Sequence, residues 1–554
     1  MGGINPIILK LLDKRGIHSE EDILEFLSDK PQETYDPFLL KNMEAGVDLI
    51  LSAIENGGKI CVYGDYDADG ITSVCLMTQV LSNLTGRLEY YVPSRFDEGY
   101  GLNNAAIEKI RNGGADLIIT VDCGSVSCGE VAFARELGLE IVITDHHNTT
   151  DDMPDCLVIN PKQPDCKYPF KHLAGVGVAF KLAQGIQKKA GLGKSVLSGV
   201  LDLVAVGTIG DFVPLTGENR TIAKYGLREL NRCQRKGFKA LADAINLKSG
   251  AISSQDVAFM IVPHLNAAGR MLSADSAVDL LLAEDGEAIY KNVERLTESN
   301  ASRKCIQEDM YRSCVEIVEA HMPYDKFLLI RPPITHEGVA GIVAGKIMEK
   351  YNKPAVIVTP SEGGYKGTGR GAPGINLYDL LSGFSDLFLR FGGHAEACGF
   401  MIRHDDLDVL KSGLEEKMKD IHMGGPGTSG TPYDFDLRLS GKDVTLELGE
   451  LLECLAPFGN QNRKPVFLIA GVTIRNAVQI GEGGKHLKFT GHTPDGGIFN
   501  CILFNKAEEY QETICSSGPS GIIGTIETQV FNGVKSVKFH VDIIIKEGFI
   551  DDND

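Results

Sequence analysis

Residues 59–73 read KICVYGDYDADGITS. The apolar run Lys59–Tyr63 has the length of a buried strand, and ITSVCLMTQVLSNL beyond it has the length and composition of a helix. Between the two stand Asp65, Asp67 and Asp69, at every second position, followed by Gly70. Three like charges this close repel one another, and folding gains nothing from that alone. A positive charge is therefore expected among them.

The same alternation continues outward. Leu88–Val92, Asp116–Val121, Glu140–Thr144 and Cys156–Ile159 read as strands, and NNAAIEKIRN and GEVAFARELG as helices between them. Strand–helix alternation implies a parallel sheet covered on both faces. In such sheets ligands bind beyond the carboxyl ends of the strands. Those ends carry further chemistry: Asp122 in ADLIITVDCGS, then Asp145, His146 and His147 in LEIVITDHHNT. SVLSGVLDLVAVGTIGDFVPL is apolar almost all round and reads as one buried helix that delivers Asp211. Oxygen and nitrogen donors without thiolates suit Mn²⁺ or Mg²⁺. So many carboxylates suit two ions, an arrangement that serves phosphoryl transfer. D-x-D-x-D-G also opens an EF-hand loop, but the closing Glu is missing and a strand precedes it. Any one of these aspartates taken alone is more often a helix cap, and Asp145 alone could be a histidine's partner. Four segments converging on one sheet edge outweigh those readings.

The 554 residues exceed one hydrophobic core and suggest about three or four domains of ~150 residues. Residues 1–55 read as a helical segment and 56–225 as the catalytic α/β domain. Residues 226–325 read as a helical connector, in which ERLTESNASRKCIQEDMYRSCVEIVEAH forms one long helix bridging two lobes. A second α/β block covers 326–422, and HMGGPGTSGTP reads as a linker. Residues 432–554 alternate in strand fashion, with a hairpin at Asn532-Gly533. Five antiparallel strands there suit an OB-type barrel.

Composition narrows the class. A hydrophobic content of 43% with 23% charged residues is ordinary for a folded chain, and no apolar run reaches the ~18 residues of a membrane helix. MGGINPIILKLLDKRG fits neither a signal peptide nor a myristoylation site. Thirteen cysteines without a CxxC, several of them (Cys61, Cys75, Cys305, Cys314) in apolar runs, indicate reduced thiols and a cytoplasmic protein without structural zinc. A net charge of −20 argues against a protein that coats nucleic acid. It leaves room for a nuclease, because metal-binding carboxylates count as negative until filled.

DYDADG, VDCG, DHH and GTIGD resemble, in order, the four motifs of the DHH phosphoesterase superfamily. GTGRG at 367–371 and FGGHAEACGF resemble its C-terminal DHHA1 substrate domain. PSRFDEGYGLN, PHLNAAGR and LAPFGNQNRKPVF point, within the superfamily, to its bacterial 5′-to-3′ exonucleases specific for single-stranded DNA. The fold implied is α/β: a parallel-sheet DHH domain, a long helical bridge, a second α/β DHHA1 domain and an OB-like barrel. The resemblance implies Asp67, Asp69, Asp122, His146 and Asp211 as metal ligands, with Asp122 bridging two ions and Asp65 binding directly or through water. His147 would act beside the scissile phosphate as hydrogen-bond donor or acid. His394, behind Gly392 and Gly393, would close over the phosphate from the second lobe, or else pack between domains. Arg95, Arg270 and Arg370, each in Gly-rich or loop sequence, would grip a 5′-phosphate bidentately with help from Thr368. Release of 5′-mononucleotides in recombination and repair is implied, as are a monomeric state and a single-strand-binding protein and helicase as partners. Superfamily members that cleave dinucleotides or short oligonucleotides offer an alternative, and a scaffold that has lost catalysis another. The chain departs from its relatives at Thr335, Gly345, Thr368 and Gly371, where Trp or Ser is common.

Overall fold

A computed structural model describes residues 4–322, 325–419, 421, 434–510, 519–531 and 533–546. The chain forms two compact units, one drawing on Tyr35–Asp211 and Tyr225–Gly430, the other on Met1–Thr34, Phe212–Lys224 and Thr431–Asp554.

The first unit begins with a five-stranded sheet: β1 (Ile60–Gly64), β2 (Leu88–Tyr91), β3 (Leu117–Val121), β4 (Glu140–Thr144) and β5 (Leu157–Ile159). All pairs are parallel and the order is β2-β1-β3-β4-β5. Every residue of β1 and β3 is buried, as expected of strands covered on both faces. Helices Asn104–Asn112 and Cys128–Glu136 share one core with Cys61, Tyr63, Ile118 and Ile143. Helices Ala68–Leu81, Gly175–Ala190 and Leu201–Gly210 pack together as a second group. The run expected as one buried helix is two, Ser195–Ser198 and Leu201–Gly210. The break falls at Gly199, whose carbonyl accepts from the Arg235 guanidinium at 3.0 Å.

A connector of shorter helices follows, including Val262–Met271, and then one of 36 residues, Gly286–His321, about 54 Å long at 1.5 Å per residue. Cys305, expected in an apolar environment, is exposed on this long helix. The second sheet comprises β6 (Leu328–Ile330), β7 (Ala355–Ser361), β8 (Gly364–Arg370), β9 (Phe388–His394) and β10 (Ala397–Arg403), in the order β6-β7-β8-β10-β9. Only β6 and β7 are parallel. Helix Glu337–Tyr351 packs on β7 and β8.

The second unit is built on a barrel of β12 (Phe467–Ile480), β13 (His486–His492), β14 (Ile498–Leu503), β15 (Ser520–Phe531) and β16 (Val534–Lys546), closed by pairing of β12 with β15. The expected all-antiparallel arrangement is corrected at one seam, where β14 and β16 run parallel. A short β11 (Leu437–Leu439) adds a sixth strand, parallel to β12. Phe531 pairs with Val534 across the expected hairpin, where Gly533 has φ +79°; Asn532 lies outside the described residues. So does the linker HMGGPGTSGTP.

Ile8, Leu11, Leu12 and Ile23, from helices Pro6–Lys14 and Glu20–Leu27, join the barrel core with Phe467, Phe489 and Phe539. The expected N-terminal helical segment is thus divided, since Met43–Glu55 packs instead on β5 and helix Gly175–Ala190. The twelve described cysteines are free thiols, and no described helix is long and apolar enough to cross a membrane.

Candidate active site

The strand order 2-1-3 reverses direction between β1 and β3, and a crevice opens at the carboxyl ends of strands at such a switch point. Register fixes what stands there. Gly64 pairs with Val121, and Val121 with Thr144. The next residue in each case is an aspartate: Asp65, Asp122 and Asp145. Asp122 adopts φ +62°, which turns the chain sharply off β3. Asp67 caps helix Ala68–Leu81, accepting the backbone N–H groups of Asp69 (2.9 Å) and Gly70 (3.1 Å). Asp69, in the first turn, accepts from the N–H groups of Gly175 (2.6 Å) and Val176 (2.8 Å), which ties two helix starts together. Asp211 caps the C-terminus of helix Leu201–Gly210.

These groups meet. His146 Nε2 lies 3.2 Å from Asp122 Oδ1, 3.5 Å from Asp211 Oδ2 and 3.9 Å from Asp69 Oδ2. Two separate triads have the spacing to hold a cation, Asp69–His146–Asp211 and Asp65–Asp67–Asp122; a third grouping joins Asp122, His146 and His147. Asp65 Oδ1, Asp122 Oδ1, Asp211 Oδ2 and His146 Nε2 are buried without a hydrogen-bond partner. Burial, and then the charge of Asp67, push Asp65 up to about 8 and Asp69 to about 7. Burial and neighbouring carboxylates also hold Asp122 and Asp211 well above the usual range. Burial and His147 push His146 down to about 3, leaving a neutral imidazole, the form that ligates metals. Orphaned oxygens and an imidazole nitrogen pointing at one another fit divalent cations with oxygen and nitrogen preference.

Gly175 is required here, because a Cβ on it would stand 2.3 Å from Asp122 Oδ1. Asp145 does not offer itself to the cluster. It accepts from the backbone N–H of His146 (2.7 Å) and Ser125 (2.9 Å) and pairs with His147 Nδ1 (2.7 Å). Although burial opposes each charge, this pair lowers the Asp145 pKa and raises that of His147.

The arginines form a second group. Arg95, in the turn after β2, lies 4.1 Å over the Tyr66 ring, and its Nε is buried without a partner. Arg270 lies in the last turn of helix Val262–Met271 rather than in a loop, and donates to the Gly338 carbonyl at 2.9 Å. Arg370 ends strand β8, again not a loop, beside Gly341 and Gly345 of helix Glu337–Tyr351. Thr368 precedes it on the same strand, next to Gly341. Burial pushes Arg270 down to about 10, with contributions from Arg95, Arg303 and Arg370, so the four share one field.

His394 is exposed at the end of β9, the edge strand, and among the described residues no hydrogen bond or ion pair joins it to the acidic cluster. Gly393 answers to packing, since at φ +144° a Cβ would stand 2.3 Å from the Ala397 carbonyl oxygen of β10. Gly392 has open space around it.

Sequence reasoning missed Arg303, whose Nε and Nη1 bond Asn300 (3.0 Å) and Gln307 (2.7 Å) on the long helix. It also missed Tyr100, 3.1 Å from His147 Nδ1, and Asn266, whose Oδ1 accepts the Ala68 N–H at 2.6 Å. Tyr100 and Asn266 lie within quoted motifs, so proximity to Arg95 and Arg270 was their only signal.

Family models match in three places: the DHH family N-terminal domain at residues 59–208, the DHHA1 domain at 325–420 and the RecJ OB domain at 435–542. The single-stranded-DNA-specific exonuclease RecJ of Bacillus subtilis is 37% identical over 96% of this chain and 67% of its own length. Its namesake from Escherichia coli is 32% identical over 90% of this chain and 89% of its own length. The crystal structure of Thermus thermophilus RecJ in complex with Mn²⁺ superposes with a TM-score of 0.83 at 28% identity, covering 98% of this chain and 76% of that one. An α/β unit with its metal-sized acidic cluster, a DHHA1 sheet and a closed barrel, carried on this degree of identity, place the chain in the RecJ family.

Proposed function

We propose that this chain is a metal-dependent exonuclease that degrades single-stranded DNA from its 5′ end and releases 5′-mononucleotides, in recombination and repair. The observation that carries the reading is the convergence of four orphaned buried ligand atoms, from Asp65, Asp122, Asp211 and His146, within a chain of the RecJ family.

The two triads support a pair of Mn²⁺ or Mg²⁺ ions, one held by Asp69, His146 and Asp211, the other by Asp65 and Asp67. Asp122 belongs to one triad and lies 3.2 Å from the histidine of the other, which supports a bridging role. When bound, such ions activate water at neutral pH and neutralise charge on phosphoryl oxygens. The chain's own groups do the rest. His147, whose charged form the contact with Asp145 favours against burial, donates to the phosphate or to the departing oxygen. Arg95, Arg270 and Arg370 present guanidinium forks to the 5′-phosphate, with the Thr368 hydroxyl beside them. His394, on the exposed edge beside Gly392 and Gly393, is the second lobe's contact to the phosphate. A monomer working with a single-strand-binding protein and a helicase completes the reading, and free thiols support a reducing, cytoplasmic setting.

The test is digestion with Mn²⁺ of a long single strand labelled separately at each end, beside its duplex. Loss from the 5′ end of the single strand alone is expected. Turnover confined to dinucleotides, with long strands untouched, would replace this reading with a small-substrate phosphodiesterase.

A further inference from the structure

A second group of arginines lies inside the barrel unit, at a cavity of about 300 Å³. Arg220 lines it and is only 3% exposed. Its Nη1 donates to the Leu455 carbonyl (2.9 Å) and its Nη2 to those of Phe26 (3.1 Å) and Cys454 (3.4 Å). Its Nε is buried with no partner at all. Arg15 lines the same cavity, donating to Asn462 Oδ1 (2.6 Å) and the Arg463 carbonyl (2.9 Å). Among the described residues neither guanidinium forms an ion pair with a carboxylate. Burial, and then the charge of Arg15, push Arg220 down to about 9.

Three carboxylates also face the cavity, and all are engaged. Glu25 accepts the Glu33 backbone N–H at 2.8 Å, Asp22 accepts the Ser19 hydroxyl at 2.6 Å, and Glu33 has a partner of its own. None is among the charges that act on Arg220, which are Arg15 and Cys454.

Tying three carbonyls together explains the Nη groups of Arg220. It does not explain a second arginine brought to the same cavity, nor an Nε left unpaired. A buried guanidinium with an unpaired Nε and no ion pair, its burial made costlier by Arg15 while Asp436 acts, of the two, on Arg15 alone, is an arrangement a hydrogen-bonding anion relieves. The surroundings suit one. Thr216 and Gly217 open the 15-residue helix Gly217–Asn231, whose positive end faces the cavity, and Thr221 adds a hydroxyl. Ile17, Phe26 and Pro31 supply an apolar wall.

We propose that this cavity is a second anion site, which takes a phosphate group borne either by a free mononucleotide or by a DNA strand. The inference stands on the barrel unit alone, so its failure leaves the nuclease reading intact, and the reverse also holds.

The full chain, kept in EDTA to silence hydrolysis, is titrated calorimetrically and by thermal melting with inorganic phosphate, dTMP, thymidine and an unphosphorylated oligothymidylate. Saturable binding of phosphate or dTMP but not thymidine is expected. Two classes of binding are expected, one at the 5′-phosphate grip, which Arg370→Gln should remove, and one that Arg370→Gln leaves in place and Arg15→Gln weakens about tenfold or more. Arg15→Lys keeps the charge without the fork and guards against misfolding; it should weaken binding less than Arg15→Gln. A greater loss of dTMP binding than of oligothymidylate binding in Arg15→Gln would assign the site to the free nucleotide, and the reverse to a strand. No binding by any phosphate carrier, or all binding lost in Arg370→Gln and kept in Arg15→Gln, would overturn the proposal.

Discussion

The acidic centre and the arginine cluster stand in the same unit, carry opposite charge and are assembled in opposite ways. The acidic centre is made by one sheet. Three strands in register end at one level, each is followed by an aspartate, and helix starts pack against them. The arginines come from a turn, a helix end, a strand end and the middle of a 36-residue helix. Each has a different local reason to be where it is. A site built by register holds its groups rigidly even when they repel. A site built by packing between elements is adjustable, and its members contribute separately and unequally. Substitutions should therefore act all-or-none in the first and by degrees in the second.

The largest effect is expected at Asp122. Asn tolerates the left-handed backbone at φ +62° and keeps the side chain's shape while removing one of the mutually repelling charges. Asp122→Asn should lower hydrolysis by about 10³-fold or more, roughly 4 kcal/mol of transition-state stabilisation. In EDTA the same variant should melt at or above the native temperature, because a charge held against burial and its neighbours is gone. Excess Mn²⁺, at about a hundred times its dissociation constant, should add ~2.7 kcal/mol of stability to the native chain and far less to the variant. A variant that melts well below the native protein in EDTA would mean the carboxylates support the fold, and the contrast between the two sites would fail.

A smaller loss is expected at Gly175. The Cβ of Gly175→Ala would stand 2.3 Å from Asp122 Oδ1, and the rigid sheet end cannot yield. Overpacking of this kind costs about 1–3 kcal/mol of stability. A displaced Asp122 should also weaken Mn²⁺-induced stabilisation in a thermal melt. Unchanged stabilisation would show that the sheet edge yields after all.

The same contrast governs what could be read from the sequence. Asp65, Asp67, Asp69, Asp122, His146 and His147 follow predicted strands directly, so alternation and strand ends locate them together. Asp211 stood out as an acid closing an apolar run. The arginines had no such frame. Arg270 and Arg370 read as loop residues because glycines flank them, yet Gly269 is where helix Val262–Met271 approaches the Tyr66 carbonyl. Gly371 is where the chain leaves β8 against Ala395. In both cases the glycine reports close backbone packing, a tertiary fact, and not a loop. The parallel seam between β14 and β16 escaped for a related reason. Alternation records which face a residue takes but not the direction of its neighbour.

Arg303 gives the finest test of the adjustable site. Nothing in its helical surroundings marks it, yet it is half-buried and acts on Arg270 beside Arg95 and Arg370. It is also partly committed, through the buried side chains of Asn300 and Gln307, to the packed face of the long helix. Its contribution to the field should therefore be felt at the DNA without direct grip on the terminal phosphate. Arg303→Gln should raise KM for single strands by a few-fold, leave kcat nearly intact, and reduce the salt dependence of binding by about one phosphate contact's worth. The ratio of rates on 5′-phosphorylated and 5′-hydroxyl strands should stay as in the native enzyme, whereas Arg370→Gln should collapse it. If Arg303→Gln collapsed that ratio too, the four arginines would act as one inseparable unit. The second site would then be as rigid as the first.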